Sequence, residues 1–74
     1  MEVKQLFEDR LKDFLDPSEF RVFNQGSLIQ FSTKRLCIPP GVFLVASRLS
    51  LDIRYIQVPC DSQDFTLITF VRSL

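Results

Sequence analysis

The side chains that could carry metal or covalent chemistry in this chain are few, and the first of them are its two cysteines, Cys37 and Cys60. Two thiols cannot complete a structural zinc site, which takes four ligands, and the chain has no histidine to supply the rest. The missing histidine also removes the Ser-His and Cys-His nucleophile pairs. We therefore expect no metal and no cofactor, and thiols that stay reduced and lie buried or half-buried as small apolar groups.

Carboxylates and glycines offer no better basis for catalysis. Six of the nine acidic residues lie on or beside the first predicted helix, where a solvated helix face accounts for them. The only glycines, Gly26 and Gly41, are far apart in the sequence, so there is no glycine-rich phosphate loop. We predict no catalytic residues and a protein that is not an enzyme.

Basic residues of the second part of the chain are the remaining candidates for a binding site. Arg48, Arg54 and Arg72 are interleaved with phenylalanines and Tyr55, a mixture with which small sheets stack bases and follow phosphates. These arginines and Ser73 are candidate anion or nucleic-acid contacts. Nine basic residues balance nine acidic ones, however, so nucleic acid is the alternative partner and not the first.

The elements that must position these residues follow from hydrophobic periodicity. Apolar residues recur at helical spacing between positions 2 and 15 and predict an amphipathic helix. Its apolar stripe, which we expect to be buried, consists of Leu6, Phe7, Leu11, Phe14 and Leu15. After it, the residues from Asp16 to Glu19 favour a single capped turn around Pro17.

From position 20 to 72 the pattern is that of β-strands. The predicted strands are 20–24, 28–33, 35–38, 42–47, 49–58 and 65–71. Gly26 favours a hairpin between the first two, Pro40 and Gly41 favour a type II turn, and a change of parity indicates a bulge near Tyr55. The prediction is one α+β domain over residues 1–74, with the helix packed on an antiparallel sheet of about five strands that could curl toward a small barrel.

Apolar excess is the feature that points to a function. Residues 42–46 are apolar at every position, and the strand 65–71 is apolar on both parities, as in strands buried on two sides. One helix covers one face of a sheet, so we expect the other face to lie in a contact between chains. The predicted interface residues are Phe43, Val45, Ile68 and Phe70. This favours a non-enzymatic, regulatory protein-binding module that associates with itself, as a dimer or higher, or with another protein; the alternative is a small nucleic-acid-binding barrel.

Membrane association is not expected. No run approaches the roughly 18 apolar residues of a membrane span, and the N-terminus has no apolar signal core. We expect a soluble, cytoplasmic protein.

Four short segments are similar, in the same order, to motifs of the deoxycytidine triphosphate deaminase and dUTPase superfamily. They are EFRVF (19–23), PGVFLVAS (40–47), YIQVP (55–59) and the terminal VRSL. The resemblance covers about half of the chain, and the last two spacings are longer than in the family. It implies a truncated, non-catalytic relative, a degenerate nucleotide-binding fragment in which Arg72 and Ser73 contact a triphosphate.

Overall fold

The computed structural model describes residues 2–35 and 37–72, and within them the chain forms two α-helices, one short 3₁₀ helix and four β-strands. In chain order these are α1 (Val3–Leu11), the 3₁₀ helix (Pro17–Glu19), β1 (Phe20–Gln25), β2 (Leu28–Thr33), α2 (Pro40–Arg48), β3 (Leu51–Gln57) and β4 (Thr66–Arg72). The strands pair antiparallel in the order β1-β2-β4-β3. The α+β class is confirmed, whereas this part of the chain has four strands, not five, and the sheet is not closed into a barrel.

Helix α1 is shorter than its apolar pattern predicted. It ends at Leu11, and a turn follows in which the backbone amide of Leu15 donates to the carbonyl of Leu11 at 2.9 Å. This turn keeps Leu15 in the core but leaves Phe14 41% exposed, with its ring lying over Gly41 of α2. The prediction that Phe14 is buried in the core is therefore wrong, because the helical periodicity stops before it.

The connection from α1 to the sheet and the first hairpin agree with the sequence. Asp16 accepts hydrogen bonds from the backbone amide of Ser18 at 2.9 Å and from its hydroxyl at 2.8 Å, which caps the 3₁₀ helix. Gly26 has a φ of 61°, which a two-residue hairpin loop between β1 and β2 requires at its first position.

Helix α2 replaces the predicted strand 42–47. Pro40 is its first residue, a position that suits proline because its fixed φ is helical and its missing N–H would have no partner there. The predicted type II turn at Pro40 and Gly41 is therefore wrong. So is the strand 35–38, of which the described residues belong to no strand. Val42 and Ala46, one helical turn apart, point into the core, while Leu44 is exposed.

The core lies between the two helices and one face of the sheet. Phe7 of α1 is fully buried, with its ring edge-on to Phe31 of β2 at 6.3 Å and to Phe70 of β4 at 5.5 Å between centroids. Val42 and Ala46 of α2 belong to the same buried cluster. Both helices thus cover one face, and the opposite face, called the open face below, has no element packed on it in the described part of the chain. The open face consists of Arg21, Phe23, Gln25, Leu28, Gln30, Ser32, Asp52, Tyr55, Gln57, Leu67, Thr69 and Val71.

Candidate functional site

The predicted interface residues do not form a surface. Ile68 and Phe70 have no exposed area, because they lie on the face of β4 that the helices cover. Phe43 and Val45 belong to α2 and are partly buried against the same core. An interface built from Ile68 and Phe70 is therefore wrong: these side chains hold the two layers of one chain together and have no surface to offer a second chain.

The predicted arginine contacts are distributed over three elements. Arg48 is the last residue of α2, Arg54 lies at the bulge of β3, and Arg72 is the last residue of β4, where it pairs with Leu51 on the face that the helices cover. All three are exposed, but the structure shows no contact or shared cleft between them among the described residues. Ser73 lies outside the described residues.

Both cysteines are free thiols, and both are exposed instead of buried as expected. The Cys60 sulfur lies 3.1 Å from the hydroxyl of Ser62, and this hydrogen bond, with help from the backbone, holds the pKa of Cys60 below its ordinary value. Within residues 2–35 and 37–72 no group of three or more metal-ligating side chains comes together. Both thiols are therefore accessible to solvent, and no metal-ligating cluster surrounds them in the described part of the chain.

Exposed apolar side chains concentrate on β3, which is an edge of the sheet. Ile53, Tyr55 and Ile56 are 47%, 44% and 46% exposed, and Val58, just after the strand, is 67% exposed. Only the first residue, Leu51, is buried. The other edge strand, β1, has one such exposed apolar side chain, so the two edges differ sharply in character.

A bulge distributes the apolar side chains of β3 over both faces. Ile53 is opposite Phe70 and Ile56 is opposite Ile68, on the face that the helices cover, whereas Tyr55 is opposite Thr69 on the open face. The register shift between Ile53 and Tyr55 accounts for the change of parity, and the predicted bulge is confirmed. The sequence predicts this bulge from the change of parity. It does not identify β3 as an edge, because the predicted strand 42–47 could pair beside it.

The open face carries a second, separate group of functional candidates. One row of residues crosses all four strands and consists of Phe23, Gln30, Thr69 and Tyr55 in register. Phe23 is 45% exposed, much like Tyr55 at the opposite end of the row. In the middle, the side-chain amide of Gln30 donates to the hydroxyl of Thr69 at 3.4 Å. The row is thus polar in its centre and aromatic at both ends.

An open cleft of about 870 Å³ lies at the β1 end of this face. Its lining includes three basic residues, Arg21, Lys34 and Arg35, and two acidic ones, Glu19 and Asp64. Arg35 contacts Glu19 at 3.0 Å and Lys34 contacts Asp64 at 3.4 Å. None of the ion pairs of the described residues includes Arg21, so the cleft has an excess of one positive charge.

The chain matches no protein-family model, no curated protein and no solved structure. The resemblance to the dUTPase superfamily therefore stays a prediction, and residues 40–48 form a helix where that resemblance implies a turn and strand. In the part of the chain that the structure describes, no helix has the length and apolar character needed to cross a membrane.

Proposed function

We propose that the protein is a non-enzymatic interaction module that associates with a second copy of itself through the edge strand β3. The observation that supports this most is the exposure of Ile53, Tyr55 and Ile56 on a strand whose outer edge has no neighbour among the described residues. Edge strands of this kind present unpaired backbone groups together with apolar side chains, and they bind other strands by extending the sheet.

The charges at the centre of β3 are complementary to those of a second copy, which favours a second copy over an unrelated strand. In an antiparallel pair related by a twofold axis at Ile53, Asp52 of each copy comes opposite Arg54 of the other. The bulge and these two charges would discourage indiscriminate pairing, as such features do on other edge strands. In the twofold register Asp52 and Arg54 of the two copies attract each other, so these charges favour pairing with a second copy.

The expected dimer is weak. Completing the burial of a half-exposed isoleucine contributes about 1 kcal/mol, so Ile53 and Ile56 of each copy contribute at most about 4 kcal/mol together. New edge hydrogen bonds add about 0.5 to 1.5 kcal/mol each, while association itself costs about 4 to 15 kcal/mol. We therefore expect a dissociation constant in the micromolar to millimolar range.

The test is sedimentation of the parent chain over a wide dilution series, compared with two lysine variants. Ile53→Lys places two charges opposite each other at the proposed twofold axis and should give a monomer at all concentrations. Phe23→Lys is the matched control: Phe23 is 45% exposed on β1, the opposite edge of the sheet, so this variant adds the same charge away from the β3 edge and should dimerise like the parent.

Hydrogen exchange provides an independent measurement, because amides of β3 should become more protected as the concentration of the parent rises. A parent that sediments as a monomer at millimolar concentration would refute self-association. Loss of the dimer in Phe23→Lys but not in Ile53→Lys would assign it to another surface.

A further inference from the structure

The open face has the features of a stacking surface. Its Phe23 end lies on β1 and its Tyr55 end belongs to β3, where pairing with a second strand extends the sheet without covering this face. Phe23 and Tyr55 occupy the two ends of one row, separated by three strand spacings, which is about 14 to 15 Å. The other phenylalanines of the strands, Phe20, Phe31 and Phe70, are buried in the core. The two aromatic side chains on the open face are therefore not needed by the hydrophobic core.

The floor between the two aromatic residues is polar and held in place. Thr69 is fully buried within the sheet surface, and it accepts the hydrogen bond from the amide of Gln30. The remaining hydrogen-bonding capacity of that amide is free to pair with a ligand, since the Gln30 side chain is only partly buried. A ligand with planar apolar faces and polar edges, such as a nucleobase, suits this combination better than a purely apolar one.

Positive charge lies beside the Phe23 end of the row. Arg21 precedes Phe23 by two residues on the same strand face and lines the cleft with Lys34. The Lys34 and Asp64 side chains are both 77% exposed, and an ion pair so exposed is worth little and can exchange its partner. Two cations are thus available to an anionic backbone next to a stacking side chain.

We propose that the open face binds single-stranded nucleic acid, with bases stacked on Phe23 and Tyr55 and phosphates contacting Arg21 and Lys34. A strand of a few nucleotides spans the row, which agrees with the site sizes of small single-strand-binding sheets. Two phosphate contacts predict a modest salt dependence, with a slope of log K against log salt of about −1.4. Because the chain carries no net charge, binding depends on stacking more than on long-range attraction.

The experiment measures fluorescence anisotropy of a labelled short oligothymidylate, titrated with the parent and with the Ile53→Lys variant, which is expected to be monomeric. Phe23→Leu keeps an apolar side chain but removes the ring, and it should weaken binding roughly tenfold or more. Phe23→Trp keeps an aromatic ring and should bind like the parent. Arg21→Ala should weaken binding and reduce the salt slope by about 0.7. The matched control is Arg10→Ala, which removes the same charge from α1 on the opposite layer and should leave binding unchanged. Circular dichroism confirms that each variant is folded.

Three results would overturn the proposal. The first is no binding at millimolar protein in low salt, and the second is equal affinity of Phe23→Leu and the parent for the oligothymidylate. The third is that heparin binds as tightly as the oligothymidylate and binds the parent and Phe23→Leu equally well. The last result would indicate a general polyanion or acidic-protein contact. Because Phe23 lies on β1, at the other edge of the sheet from β3, loss of nucleic-acid binding in its variants can be distinguished from loss of self-association.

Discussion

Replacing Phe7 by alanine tests whether the two layers are held together as the structure shows. Phe7 is fully buried and contacts the rings of Phe31 and Phe70 on the two central strands. Truncating a buried phenylalanine costs about 3 to 5 kcal/mol through lost transfer free energy and the cavity it leaves. A domain of this length has a total stability of about 4 to 11 kcal/mol, so Phe7→Ala should lose between about a quarter and all of it.

Phe14→Ala is the matched control, because it removes the same ring from the turn that follows α1. At 41% exposure, Phe14 gives up only part of the free energy of burying a phenylalanine, and we expect a cost of about 1 to 2 kcal/mol. Urea unfolding followed by circular dichroism, at one fixed protein concentration and in the Ile53→Lys background, measures both variants without a contribution from self-association.

The comparison of the two variants is more informative than either value. If Phe14→Ala costs as much as Phe7→Ala, the helical stripe continues through position 14, as its sequence pattern predicted, and α1 does not end at Leu11. Should Phe7→Ala be too unstable to measure, Phe7→Leu leaves a smaller cavity, and its cost should still exceed that of Phe14→Ala.

Three further predictions concern loops and turns. Gly26→Ala should lower stability by about 1 to 2 kcal/mol in thermal melting, because a φ of 61° disfavours a Cβ even though nothing lies within 4 Å of it; an unchanged melting temperature would contradict the hairpin geometry. At neutral pH, Cys60 should be alkylated faster in the parent than in Ser62→Ala, since the hydrogen bond with the Ser62 hydroxyl lowers its pKa, and a timed mass-spectrometric assay measures both rates. The pKa of Asp16 is lowered by hydrogen bonds from the following turn, so its stabilisation is present above the pKa of an unfolded aspartate and is lost as the pH falls below about 4. The melting temperatures of the parent and of Asp16→Ala should therefore differ at neutral pH and converge in acid.

Local signals in the sequence were sufficient for the first hairpin, the capped turn and the bulge. Each depends on a residue whose backbone or side chain has one dominant use: Gly26 adopts a positive φ, Asp16 caps a turn, and the parity change around Tyr55 requires an extra residue. Such features act over a few residues and do not depend on what packs above them.

Helix α2 could not be identified in the same way. Its five apolar residues from Val42 to Ala46 lie in succession, so neither a period of two nor one of 3.6 stands out, and a short apolar run fits a strand equally well. The tertiary contacts decide the matter: Val42 and Ala46 fill the core from above the sheet, and Leu44 remains exposed. Pro40, read as a turn residue, was also consistent with the first position of a helix.

The faces of β4 were misassigned for a related reason. Thr66 and Thr69, which would mark a solvent face in most strands, are both buried here, so polarity does not separate the two parities. The sequence pattern predicts a single helix, which can pack on only one face of the sheet. It therefore leaves the face carrying Ile68 and Phe70 without a packing partner. The second helix provides that cover within the chain.

The presence of α2 also bears on the proposed self-association through β3. A strand at 42–47 could have paired beside β3 and removed its free edge, whereas a helix there packs over the sheet and leaves β3 with β4 as its only neighbour in the described residues. The apolar excess of the chain is thus divided: Ile68 and Phe70 are used internally, and Ile53, Tyr55 and Ile56 remain at the edge. The expectation of a second chain therefore survives the loss of its original interface, because the helix that buries one apolar face leaves an apolar strand without a neighbour.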